Sequence, residues 1–68
     1  MEDPLIRLGQ NIRRVRTKRG LSQESLAETL EADKAYISRI EAGKNNLTVK
    51  SLAKIANALS VEIKRLFA

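Results

Sequence analysis

The sequence predicts an all-α fold built from five short helices. Three observations point there. Apolar residues recur at intervals of three and four through nearly the whole chain, the spacing that gathers them on one face of a helix. Residues that start and stop helices, Asp3-Pro4, Gly20, Ser22, Asp33, Gly43 and Thr48, cut that pattern into short pieces. No run alternates with period two, and β-branched residues are sparse, so nothing reads as a strand.

Met1 and Glu2 read as a loose lead-in. Asp3 then serves as N-cap, and Pro4 takes the first helical position, where its missing N–H is no loss. Leu5, Leu8, Ile12 and Val15 form the inner stripe of a helix over 4–19. Arg7, Arg13, Arg14, Lys18 and Arg19 line its outer face and read as solvated charge. Lys18 and Arg19 also suit the dipole of the last turn, and Gly20 supplies the stop. Ser22 caps a helix over 23–30, with Leu26, Ala27 and Leu30 inward. Glu31 and Ala32 leave room only for a turn before Asp33 caps a helix over 34–42, whose inward residues are Tyr36, Ile37 and Ile40. Gly43 to Leu47 is a loop of turn formers. Thr48 caps a fourth helix over 49–58; Val49, Leu52, Ala53, Ile55, Ala56 and Leu59 mostly share one side, and Lys50 and Lys54 face out. Ser60 caps a last helix over 61–67, with Val61, Ile63, Leu66 and Phe67 as its apolar set. With no repeat and no low-complexity segment, residues 1–68 are expected to form one domain.

The composition narrows the function. The 68 residues carry 13 Lys and Arg against 8 Asp and Glu, a net charge of +5, and 43% of them are hydrophobic. One aliphatic core is feasible, although a domain this small buries only about 60% of its unfolded surface. The basic balance suggests a polyanionic partner. The chain has no Cys, hence no disulfide framework and no thiolate metal site, and no His, the commonest general base and metal ligand. Without clustered carboxylates either, neither an enzyme nor a cofactor is expected. Tyr36 and Phe67 are the only aromatics, too few for a single-strand binder built on stacking platforms. No Gly-rich phosphate loop or metal set signals a small-molecule ligand. No apolar run approaches the roughly 18 residues of a membrane span, and the start of the chain is not a signal peptide, so a cytoplasmic location is expected.

The stretch from Leu21 to Gly43 organises the rest. Two short helices joined by a turn cannot bury their apolar faces alone, so the other helices must cover them. The second of the pair leaves Lys34, Ala35, Ser38, Arg39 and Ala42 uncovered. That face is small, polar and basic, as a helix entering a DNA major groove needs. Lys34, Ala35, Ser38 and Arg39 are the candidates for base edges. Arg39 can grip guanine through two hydrogen bonds, Lys34 reaches guanine or a phosphate, and Ala35 touches only a thymine methyl. The Ser38 hydroxyl serves a base, a phosphate or its own backbone. Thr48 and Lys50, at and just past a helix start, are candidates for phosphate contacts.

This stretch resembles the helix-turn-helix of the lambda-repressor-like regulators, also called Cro-type or XRE-type. The matching residues are Arg16, Gly20, Leu21, Ser22-Gln23-Glu24, Leu26-Ala27, Tyr36-Ile37-Ser38, Ile40-Glu41 and Gly43. Asn46-Leu47-Thr48, Leu52, Ile55-Ala56, Leu59 and Leu66-Phe67 extend the likeness over nearly the whole chain. From Asp33 to Thr48 the chain is most similar to the small controller proteins of restriction-modification systems. Those often carry Arg where Lys34 stands and Thr where Ala35 stands, and a regulator of another operon or a phage-type repressor fits as well. The resemblance implies a phosphate contact for Gln23, which also braces the recognition helix, and another for Tyr36. It places Lys44, Asn45 and Asn46 where family members grip the backbone; the two asparagines also suit plain turn chemistry, and Asn46 matches the family position better. It implies a structural ion pair between Arg16 and Glu41. One residue departs from the pattern: the turn usually carries Gly or Asn at the place of Glu31, because that residue adopts a left-handed conformation.

Family members bind palindromes as dimers, with half-sites about one helical turn apart. The resemblance therefore implies double-stranded DNA and a second copy of the chain as partners. The dimer would use the last two helices, through Val49, Val61, Ile63 and Phe67, residues that could equally close the core. A competing class is a protein-interaction or antitoxin-type module on the same fold.

Overall fold

Every α-helix among the described residues starts on a side-chain cap and stops on a left-handed residue. The computed structural model describes residues 3–67; Met1 and Glu2, expected as a loose lead-in, lie outside the described residues. Four α-helices run in order, α1 (Pro4–Lys18), α2 (Gln23–Thr29), α3 (Lys34–Glu41) and α4 (Val49–Ala58), and a 3-10 helix at Ile63–Phe67 ends the described chain. No strand occurs among the described residues. Asp3, Ser22, Asp33 and Thr48 accept the backbone N–H of Leu5, Ser25, Tyr36 and Ser51 at 2.8–3.0 Å. Each cap satisfies one of the N–H groups that a helix start leaves without a partner.

The four C-termini share one device. Gly20, Glu31, Gly43 and Ser60 have φ of 71°, 56°, 74° and 59°. The next residue reaches back to the fifth carbonyl before it: Leu21 to Arg16, Ala32 to Ala27, Lys44 to Arg39 and Val61 to Ala56, at 2.8–3.1 Å. A second bond, of shorter span, from the left-handed residue itself completes a Schellman motif in every case. Arg19, Leu30 and Ala42, expected inside their helices, are the capping residues just past them.

This device corrects the expected fifth α-helix over 61–67. Ser60 does not cap a new helix; it is the left-handed stop of α4. Beyond it the chain forms only the 3-10 helix of five residues. Arg65 N–H bonds the Glu62 carbonyl, three residues back, at 3.0 Å. Residues three apart eclipse in this geometry, so Ile63 and Leu66 point the same way. Leu66 is fully buried and Ile63 packs on the same core.

The core is aliphatic. Leu8, Ile12 and Val15 of α1, Leu26 and Ala27 of α2, Ile37 and Ile40 of α3, Leu52, Ile55, Ala56 and Leu59 around α4, and Leu66 form one cluster. Leu5 is only half-buried. Val49 and Ala53, expected inward, are exposed, Val49 at 75%. Leu52, Ile55 and Ala56, with Leu59 just past the helix, fill the inner face of α4; Val49 sits on its first turn, at the end of that stripe, and Ala53 is turned away from it.

Two residues of α1 set its place. Gly9 is buried, and a Cβ there would lie 2.4 Å from the Ile40 carbonyl oxygen and 2.7 Å from that of Glu41. The helices α1 and α3 thus touch backbone to backbone at the C-terminal turn of α3. Asn11, also buried, donates from Nδ2 to the Leu66 carbonyl at 2.9 Å, and Arg14 donates to its Oδ1 at 2.9 Å. The amide ties the 3-10 helix to α1.

Stability should respond to these features in two ways. Glu31→Gly and Ser60→Gly each remove left-handed strain of about 1 kcal/mol, partly offset by the chain entropy of glycine, so each should raise the urea midpoint slightly. A clear loss would contradict the strain argument. Gly9→Ala should lower stability by about 1–3 kcal/mol, because the added carbon meets carbonyls that cannot move away. A melting temperature equal to the parent's would show that α1 and α3 are not in backbone contact.

Candidate nucleic-acid interface

The α2–turn–α3 unit puts one helix face into solvent. Going round α3, Ile37 and Ile40 point to the core, and Lys34, Ala35, Ser38, Arg39 and Ala42 point away, all exposed. None of the Lys34, Ser38 or Arg39 side chains bonds another described residue. A helix with side chains is about 10–12 Å across, and the B-DNA major groove is about 12 Å wide. The residues on the two edges of the exposed face therefore meet the walls of any groove the helix enters. Those edges are Glu41 on one side and Tyr36 on the other.

The Glu41 edge carries a connected polar group. Arg16 Nε donates to Glu41 Oε2 at 2.6 Å, and Arg16 Nη2 to Oε1 at 3.1 Å. The third branch, Nη1, donates to the Leu21 carbonyl at 2.7 Å. Gln23 Nε2 donates to Glu41 Oε1 at 3.0 Å. The Arg16 and Glu41 side chains are 12% and 5% exposed. One carboxylate thus joins the end of α3 to α1 and to the first residue of α2, and the guanidinium holds the loop between α1 and α2. The two-pronged geometry suits Arg and not Lys.

The other candidate residues fall into place around this frame. Gln23 is half-buried beside Glu41, and its amide has a second N–H left for an outside acceptor. Tyr36 is half-buried, its ring packed on the core cluster. Lys44 and Asn46 are exposed and Asn45 half-buried in the loop that leaves α3. Lys50 is exposed on the first turn of α4. The Thr48 hydroxyl is committed to its cap: it accepts from Ser51 N–H at 3.0 Å and donates to Ser51 Oγ at 3.1 Å. Gln23 thus stands on one edge of the α3 face, Tyr36 on the other, and the Lys44–Asn46 loop at its end.

A helix-turn-helix family model matches residues 12–66, most of the chain. The chain belongs to the helix-turn-helix family. Among helix-turn-helix proteins it is 40% identical to the control protein C.MunI of Mycoplasma sp, an alignment that covers 98% of this chain and 92% of that protein. The crystal structure of the restriction-modification controller protein C.AhdI from Aeromonas hydrophila superposes with a TM-score of 0.88 at 40% identity, covering 93% of this chain and 91% of that one. The C.Esp1396I nucleoprotein complex superposes with a TM-score of 0.84 at 36% identity, covering 98% of this chain and 87% of that one.

Sequence reasoning passed over Gly9, Asn11 and the Leu21 carbonyl. Gly9 carried a signal: an isolated glycine inside a strong helical pattern costs about 1 kcal/mol against alanine, so its presence asks for a reason. Asn11 carried a weaker one, a polar residue next to the inner stripe of α1. The carbonyl carried none, since any residue has one.

Glu41→Ala should destabilise the fold by about 3–5 kcal/mol, because it leaves the Arg16 guanidinium partly buried without its partner. Gln23→Ala removes a single hydrogen bond and should lower stability by only about 1 kcal/mol. Chemical unfolding of both variants measures the ranking, and equal losses would mean that the carboxylate does not hold the node.

Proposed function

We propose that this protein is a sequence-specific regulator of transcription that binds double-stranded DNA as a homodimer on a palindromic operator. The observation that carries the reading is the bare, basic face of α3, held rigid at its edge by Arg16, Glu41 and Gln23. In this reading Lys34, Ala35, Ser38 and Arg39 meet base edges, with Arg39 taking guanine. Gln23, Tyr36, Lys44, Asn45, Asn46 and Lys50 meet the phosphates that flank the groove and set the docking angle. Thr48 contributes through its place at the start of α4, since its hydroxyl is occupied. Residues 1–68 act as one DNA-binding unit, and no helix among the described residues is long and apolar enough to cross a membrane.

The dimer rests on the exposed apolar residues of α4 and of the segment after it. Of the four expected there, Val61 and Ile63 are half-buried against the core, while Val49 and Phe67 are 75% and 60% exposed. Phe67 borders a largely apolar groove of about 210 Å³ lined also by Pro4, Leu5, Leu8 and Leu66, with Arg7 and Asn11 as its polar members. A second copy would cover it. Two recognition helices then enter successive major grooves, and occupancy of the operator blocks or recruits polymerase. The likeness to C.MunI and C.AhdI supports a restriction-modification locus as the setting.

Selection of binding sites from random duplex DNA is the direct test. It should recover an inverted repeat with half-sites about one helical turn apart. Uniform affinity for all sequences would reject the reading. On the recovered site, Arg39→Ala should relax preference at one base pair of each half-site by about 1–3 kcal/mol, while Lys44→Ala weakens all sequences alike. Phe67→Ser should sediment as a folded monomer; an unchanged dimer would move the interface elsewhere.

A further inference from the structure

Helix α1 carries Arg7, Arg13, Arg14, Arg16 and Lys18 and no carboxylate. Arg16 is spent on Glu41, and Arg14 on Asn11. The others are not equivalent, because α1 touches α3 along a definite line. Around α1, the core residues Val15, Leu8 and Ile12 come first. Gly9 and Arg16 are next, facing α3. The positions after these in the same rotation are Arg13 and Ile6. On α3 the order also runs from the core, past its contact with α1, to the exposed face. Arg13 and Ile6 therefore open on the same side of the molecule as Lys34 and Ser38. Ile6 packs against the end of α3: its Cα and Cγ1 lie 2.7 Å, and its N 2.8 Å, from where a Cβ on Gly43, just past α3, would sit.

Arg13 stands one helical turn beyond Gly9, about 6 Å along α1, on the way to Arg16 and Gln23. It is exposed and bonds no other described residue through its side chain. Lys18 lies on the opposite flank of the same helix, turned away from α3. We propose that Arg13 is an additional phosphate-binding residue, extending the lip formed by Gln23 and taking a backbone phosphate of the same duplex that α3 reads. The inference rests on the DNA-binding reading and adds a contact that the helix-turn-helix unit alone does not supply.

Salt dependence isolates it. The probes are the duplex recovered by selection and a random-sequence duplex of equal length. Affinities of the intact protein, Arg13→Gln, Arg13→Lys and Lys18→Gln are measured across a range of salt concentrations, with melting curves to confirm folding. Arg13→Gln should weaken binding to both probes by a similar factor and reduce the slope of log affinity against log salt by about one per protomer. Arg13→Lys should restore the slope, and Lys18→Gln should leave it unchanged. A slope for Arg13→Gln equal to the parent's, or an equal drop for Lys18→Gln, would overturn the proposal while leaving the DNA reading intact. Failure of the parent to prefer the selected duplex would overturn both.

Discussion

The position of α3 depends on one carboxylate. Glu41 receives Arg16 through two parallel bonds and Gln23 through a third, while the same guanidinium holds the Leu21 carbonyl. Three elements that are separate in sequence thus meet at a group almost closed to water. Desolvation opposes much of the Coulombic gain in such a site, so its weight lies less in net stability than in geometry. A planar fork opposite a planar carboxylate has one good orientation. With Gly9 allowing α1 to lie directly on the Ile40 and Glu41 carbonyls, that orientation determines how α3 stands against α1 and α2. An apolar contact of similar area would tolerate rotation; this one does not.

The chain economises elsewhere by repeating one solution. Four helices end on the same left-handed motif, and only two of the four stops are glycine. Glu31 and Ser60 take the conformation at a small conformational cost. The stop after α2 turns the chain sharply into Asp33, whose cap starts α3 at once. The stop after α4 turns it into the 3-10 helix, which brings Leu66 under the core and the Asn11 amide. Short helices of seven to ten residues are marginal in isolation, so their order comes from caps at both ends and from the shared aliphatic core.

Charge is distributed with the same economy. Glu24, Glu28 and Glu31 fall on or just after α2, whereas the long helix α1 has only cations. The net charge of +5 is therefore a poor guide to where a polyanion would sit. Some of the positive charge is internal, as Arg16 shows, and some faces away from α3. What matters for a groove-binding helix is which cations lie on its own face and along its two edges.

Much of this was legible in the sequence. The capping residues Asp3, Ser22, Asp33 and Thr48 and the apolar periodicity located four helices to within a residue at each end, because those signals act over one turn of chain. The exposed face of α3 could be read the same way, by subtraction of its apolar stripe. The last segment could not: Val61 to Phe67 has a helical apolar pattern, but Ser60 was needed to stop α4, and seven residues anchored by one buried leucine settle into a 3-10 turn. Val49 and Ala53 are apolar at helical spacing yet lie outside, because burial depends on which neighbours arrive. Gly9 and Asn11 became informative only once α3 and the 3-10 helix were packed against them. Local chemistry determined where helices begin and end; the contacts between distant residues decided which faces are covered, since coverage is a property of pairs of elements and not of any one of them.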